Sequence, residues 1–208
     1  VKKSTTNVAF YTPYVMWLAL FVIAPMVLIV YQSFFDISGH FTLANYQTYF
    51  QSGTYIMMTI NSVWYAFLIT LATLLISYPT AYFLHYAKHK QLWLLLIILP
   101  TWINLLLKAY AFIGIFSQDG GVNSFLGMFG IAPQQFLFTD FSFIFVAAYI
   151  EIPFMILPIF NAIEELPENL VNASRDLGAK GWQTFTKVVW PLTISGVKSG
   201  VQAVFILA

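Results

Sequence analysis

The chain has 208 residues, of which 60% are hydrophobic, 19% aromatic and only 8% charged, with a mean hydropathy of +0.78. A soluble domain carries about 25% charged residues, so this composition excludes a soluble globular enzyme and a disordered chain. Nine Lys+Arg against eight Asp+Glu leave a net charge of +1, without the basic surface that a nucleic-acid binder needs. No cysteine is present, which excludes disulfides, thiolate metal sites and Cys nucleophiles. An integral membrane protein remains, expected to be all-α from the long apolar runs that follow.

A helix needs about 20 mostly apolar residues to cross a hydrocarbon layer. Taken in order, the chain offers Tyr11–Phe35, Thr59–Leu84, Leu92–Phe116 and Phe141–Ile163 as such stretches. The first is too long for the apolar core of a signal peptide and lacks a small-residue cleavage site, so it reads as a retained span. A fifth stretch begins near Ile194 and stops at Ala208; its length of ~22 Å at 1.5 Å per residue is short for a crossing. The native chain is therefore expected to continue. A single transmembrane domain over residues 1–208 is expected.

Basic residues set the orientation. Lys2 and Lys3 precede the first span, Lys88 and Lys90 lie between the second and third, and Arg175, Lys180, Lys187 and Lys198 follow the fourth. The intervening connections, Asp36–Met58 and Ser117–Asp140, contain neither Lys nor Arg. The positive-inside rule puts the N terminus in the cytoplasm.

Prolines at 25, 79, 100, 153 and 158 interrupt the spans. Each removes a backbone donor, giving either packing kinks or the broken helices about which transporter halves rock. Thr70, Thr73, Ser77 and Thr80 share one face of the second span, a pattern expected at a helix–helix contact. In the outer loop, Val122, Phe125, Leu126 and Phe129 predict a short amphipathic helix.

The connection Glu164–Pro191 is far longer than a tight turn requires. Pro167 suits the first position of a helix, and Glu164, Glu165 and Glu168 put negative charge at its positive end. Leu166, Leu170, Ala173 and Leu177 follow as an apolar stripe; Gly178 stands where a left-handed C-terminal cap is wanted. Trp182, Phe185 and Val189 make a second stripe that ends at Trp190-Pro191. The loop at 164–191 thus reads as helix, glycine turn, helix. Residue chemistry alone leaves two uses open, a hairpin shielding helix ends or an element docked into a soluble partner.

The run Asn172-Ala173-Ser174-Arg175-Asp176-Leu177-Gly178-Ala179, followed by Phe185 and Trp190-Pro191-Leu192, resembles the coupling-loop signature of ABC-importer permeases. Ala173 matches the first Ala of that family's Glu-Ala-Ala, Gly178 its central Gly and Pro191 its closing Pro. Asn172, Ser174 and Trp190 depart from it. Pro100-Thr101-Trp102-Ile103-Asn104, Lys108-Ala109-Tyr110 and Tyr149-Ile150-Glu151-Ile152-Pro153-Phe154 look like the spermidine/putrescine branch, and specifically the first of its two permease subunits.

The resemblance implies a type I ABC-importer transmembrane fold, with about five of six expected spans in this sequence. It implies alternating-access transport of polyamines, a second permease subunit, ATP-binding subunits and an extracytoplasmic receptor as partners. Leu170, Asn172, Ala173, Ser174, Asp176, Leu177, Gly178, Ala179, Phe185 and Pro191 would then meet the ATPase subunit. The chain has no Gly-x-x-x-x-Gly-Lys-[Ser/Thr] to cradle phosphates; ATP and Mg are expected on the partner, with no cofactor or metal bound here. A permease for a metal ion, an anion or an amino acid, and a membrane scaffold or intramembrane enzyme, are the competing readings.

Glu151 is the one acidic residue deep in a span. A charge there costs about 2.5–3.5 kcal/mol on insertion scales and faces a cavity or a partner. It pairs with Lys108, is held protonated by hydrogen bonds, or offsets the ammonium groups of a passing polyamine, with Phe154 on the same face adding a cation–π contact. Asn104 is a further pathway candidate. His85 and His89 have metal-ligand spacing but no third ligand nearby, and interfacial anchoring accounts for them.

Overall fold

The computed structural model describes residues 3–36 and 38–208, with side chains from Tyr11 onward, Ile37 excepted. Lys2, used above for orientation, lies outside the described residues. Among the described residues the structure is helical, with one isolated antiparallel bridge between Phe35 and Phe41. They fall into two units, Val1–Asn61 and Ser62–Ala208.

The first unit holds α1 (Lys3–Leu18), a π-helical turn at Ala19–Ile23, α2 (Ala24–Ser33), α3 (Ala44–Gln51) and the start of α4 (Gly53–His85). Pro25 explains the π turn. Its ring excludes an ordinary backbone bond to the preceding turn, and the widened turn at Ala19–Ile23 carries the chain into α2 without a break. After α2, Asn45 donates from Nδ2 to the carbonyls of Ser33 and Phe35, both at 3.1 Å. The Ser33 and Tyr46 hydroxyls meet at 2.6 Å, so polar side chains tie down the turn that follows the apolar helix.

In the second unit follow α5 (Lys90–Ile98), a 3-10 turn at Leu99–Trp102, α6 (Leu105–Phe116), α7 (Gly121–Gly127) and α8 (Asp140–Glu164). Then come α9 (Glu168–Asp176), α10 (Gly181–Thr184), a second π turn at Phe185–Val189 and α11 (Trp190–Leu207). Pro191 stands in the first turn of α11, so a proline again follows directly on a π turn.

Among the described residues three helices are long and apolar enough to cross a membrane: Tyr11–Ser33, Gly53–His85 and Asp140–Glu164. The stretch expected as a continuous third span is instead a broken pair, Lys90–Trp102 and Leu105–Gly127, bent by 95°. Pro100 removes a donor at the break. Ile103 and Asn104 are extended, and Asn104 restarts the helix by accepting the Leu106 N–H on Oδ1 at 2.8 Å. By contrast Pro79, Pro153 and Pro158 lie inside continuous helices. The predicted fifth stretch is the helix α11, which starts at Trp190 rather than near Ile194.

The core of this unit joins α4, α8 and α11. Tyr78, Ala81 and Leu84 pack with Met155, Ile156, Ile159, Phe160, Ile163, Val197 and Val204. Gly196 and Gly200, one turn apart, let α11 approach α8 closely. A methyl on Gly196 would lie 2.5 Å from both Ala162 Cβ and the Pro158 carbonyl oxygen. Small residues spaced four apart are a recurrent device for membrane-helix contact, because packing rather than water exclusion drives association in lipid. Thr70, Thr73 and Ser77 of the predicted face are buried, while Thr80, at its end, is only partly so. Thr70 and Thr73 donate back to the carbonyls of Ala66 and Ile69 at 2.7 Å, which leaves their methyl groups to pack.

In the outer loop of the prediction, α7 is the expected short helix, but it ends at Gly127 and leaves Phe129 of the predicted stripe in the turn that follows. Asn123, buried, donates to the carbonyls of Ser117 and Gln134 and accepts the Gln134 N–H at 2.9 Å, closing the loop on itself.

Candidate functional site

The hairpin between α8 and α11 has the helix–turn–helix form read from its sequence. Pro167 caps α9 in an extended conformation, with Glu168 in the first turn and Arg175 in the last, each at the helix end whose partial charge favours it. Leu177 ends the helix and Gly178 follows at φ +82°, a left-handed conformation that glycine adopts without steric cost. The Ala179 N–H returns to the Ser174 carbonyl at 3.1 Å and the Gly178 N–H to that of Arg175 at 2.8 Å, closing the turn.

The ten residues picked for this loop divide into two groups. Leu170, Asn172, Ala173, Asp176, Leu177, Gly178 and Pro191 are exposed. Leu177 is 89% exposed and Trp182 is 73% exposed, so the tip presents large apolar side chains rather than burying them. Ser174, Ala179 and Phe185 are partly buried and hold the hairpin together. The Ser174 hydroxyl meets that of Thr184, itself buried, at 2.9 Å. The Ser at this position, a departure from the family's Ala, thereby ties α9 to α10. Phe185 turns inward, its ring centroid 5.8 Å from that of Tyr78 and 5.4 Å from that of Tyr82. It anchors the hairpin on α4. Thr184 escaped the sequence reading because a lone Thr between two stripes carries no periodic signal.

At the root of the hairpin three helix ends meet. Glu164, the last residue of α8, reaches His85 Nδ1 at the end of α4 and Lys90 Nζ, at 2.6 Å, at the start of α5. Beside them a cavity of about 200 Å³ is lined by Tyr82, His85, Tyr86, Leu166, Asn172 and Arg175, among others.

The three pathway candidates are not joined by any hydrogen bond, ion pair or ring contact among the described residues. Asn104 is exposed and spends its carbonyl oxygen on the α6 cap. Phe154 is 43% exposed. Glu151, midway along α8, is half-buried, and its Oε2 is shielded from solvent without a hydrogen-bond partner. No ion pair joins it to Lys108 among the described residues. Lys108 lines a cavity of about 240 Å³ with Pro100, Thr101, Tyr149, Ile150 and Pro153, at the 95° break.

Among the described residues the protein is all-helical, with broken and proline-bearing helices and an apolar-tipped hairpin between two core helices. Residues 46–208 match the family described as binding-protein-dependent transport system inner membrane component. The chain belongs to that family and is an ABC-importer permease subunit. It is 37% identical to the spermidine/putrescine transport system permease protein PotB of Escherichia coli K12, over 92% of this chain and 73% of the relative. It is 35% identical to that of Haemophilus influenzae, over 92% and 70%. The inner membrane ABC transporter permease protein YdcU of Escherichia coli is 30% identical, over 89% and 66%.

Two crystal structures share the fold. One is of a bacterial ABC transporter involved in import of the acidic polysaccharide alginate, with TM-score 0.70 and 21% identity over 93% of this chain and 69% of that one. The other is of a bacterial alginate transporter in complex with an alginate pentasaccharide-bound periplasmic protein, with TM-score 0.76 and 20% identity over 93% and 68%.

Proposed function

We propose that this chain is one of two membrane subunits of an ATP-driven importer that carries polyamines such as spermidine and putrescine into the cytoplasm. The observation that carries the substrate class is the 37% identity to a spermidine/putrescine permease over 92% of the chain. The N terminus lies in the cytoplasm, because Lys88, Lys90, Arg175, Lys180, Lys187 and Lys198 then share that side. An extracytoplasmic receptor delivers substrate from the other side, and lipid surrounds the spans.

The hairpin is the docking element for the ATP-binding subunit, which holds ATP and Mg. Its exposed Leu170, Leu177 and Trp182 supply the apolar anchors of a helix laid into a groove. ATP-driven closure of the two motor subunits moves the hairpin, Phe185 and the α8 root carry that motion into α4 and α8, and the site between the permeases opens to one side or the other. Glu151 lines the pathway and offsets ammonium charge, with Phe154 beside it and Asn104 at the helix break. A carboxylate oxygen shielded from water with no partner suits a transient cation, since burial strengthens the attraction.

The test is uptake of labelled spermidine, putrescine and an unrelated anionic solute by the full-length permease pair reconstituted with its ATP-binding subunits and receptor. ATP-dependent accumulation of the polyamines alone is the expected result. Accumulation of the anion instead would reject the substrate assignment.

A further inference from the structure

Glu164 sits where a helix macrodipole disfavours it. A carboxylate in the last turn of a helix meets the negative end of that helix, yet Glu164 ends α8. The groups that offset this come from two other helices, the His85 ring at the last position of α4 and the Lys90 ammonium at the first position of α5. All three side chains are partly exposed, at 22% for His85, 30% for Glu164 and 37% for Lys90. They form a joined network rather than one solvated pair. A single carboxylate therefore ties the ends of α4, α5 and α8 together, three residues before Pro167 opens the hairpin. The neighbouring cavity of about 200 Å³ between the α9 residues Asn172 and Arg175, the α4 residues Tyr82 and His85, and Tyr86 just beyond them leaves α9 room to shift against α4.

We propose that Glu164 is a positioning residue for transport. It is the pin through which displacement of the hairpin is passed from α8 to α4 and, through Lys90, to α5 and the break at Ile103–Asn104. Without it, α9 still moves into the adjacent cavity, but α5 no longer follows. Motor binding and ATP hydrolysis then continue while solute movement falls. This rests on the ATP-driven importer reading.

The experiment compares Glu164→Gln, Lys90→Glu and the swapped pair Lys90→Glu/Glu164→Lys in the reconstituted full complex. It measures polyamine uptake and ATP hydrolysis together. Coupling free energies of this kind correspond to about fivefold or more. Each single variant is expected to lose about that much uptake per ATP hydrolysed, and the swap to recover part of it, since it restores the α5–α8 ion pair with the charges reversed while the carboxylate contact to His85 is lost. Singles that import as efficiently per ATP as wild type, or a swap no better than the singles, would overturn the proposal. A second readout does not depend on import. Spin labels at the exposed Gln91 on α5 and Asn169 on α9 report their separation in the assembled complex. A distance distribution broadened by Glu164→Gln supports the pin and an unchanged one overturns it. A wild-type complex that moves no polyamine counts against the importer reading alone.

Discussion

The hydroxyls of Tyr78 and Thr193 lie 2.9 Å apart across 115 residues of sequence, joining α4 to the first turns of α11 inside the core. Thr193 also donates within its own helix, to the Val189 carbonyl at 2.9 Å. The two partners are thus unequally dependent on each other. Removing the tyrosine hydroxyl leaves Thr193 satisfied, whereas removing the threonine hydroxyl strands a buried phenol. Tyr78→Phe should cost about 0.6–1 kcal/mol, and Thr193→Val about 1–3 kcal/mol. Thermal unfolding of the purified full-length protein in detergent checks the order; equal losses would contradict it.

Gly196 and Gly200 make a similarly graded pair. The added methyl at Gly196 meets Ala162 Cβ and a backbone carbonyl at 2.5 Å, while at Gly200 it first meets Met155 Sδ at 2.8 Å, part of a flexible side chain. Overpacking costs typically about 1–3 kcal/mol. Gly196→Ala is expected at the upper end of that range and Gly200→Ala at the lower, measured by the same unfolding assay. Ala162→Gly should relieve Gly196→Ala only in part, because the Pro158 carbonyl remains in the way.

The hairpin turn depends on backbone conformation alone. Gly178 has φ +82° and open space around its Cα, so Gly178→Ala adds no clash, only the left-handed strain of about 1–2 kcal/mol. Asn tolerates that region better. Capture of the ATP-binding subunit by the full-length permease should weaken in Gly178→Ala and recover partly in Gly178→Asn. Ser174→Ala should weaken it too, by stranding the buried Thr184 hydroxyl.

Glu151→Gln keeps shape and removes charge. Polyamine uptake is expected to fall while the ATP-binding subunits remain bound, since the residue lies well inside α8 and away from the hairpin. Unaltered uptake kinetics in that variant would remove Glu151 from the pathway.

Much of this architecture is legible in the sequence. Apolar runs located α1–α2, α4 and α8 because a lipid-exposed helix must be apolar along its whole length. The hairpin was legible because Pro167, the Leu170–Leu177 stripe and Gly178 each have one local role. The 95° break was not, because Pro100 resembles Pro79, Pro153 and Pro158, all of which continuous helices absorb. What distinguishes it is Asn104, a polar cap one turn later that offers α6 a new start. The Gly196–Gly200 contact carried a readable spacing. The Glu164 network carried none, since its members are separated by 79 and 74 residues and meet only through the packing of three helix ends. Phe185 lies on a stripe that periodicity treats alike throughout, and only packing shows that it faces Tyr78 and Tyr82 rather than outward.

The most direct measurement is photo-crosslinking from Leu177, Gly178 and Trp182 in the full complex during ATP turnover. The hairpin account predicts capture of the ATP-binding subunit from these tip positions, and none from the inward-facing Phe185. A complex that imports solute while its hairpin tip never captures that subunit would contradict it.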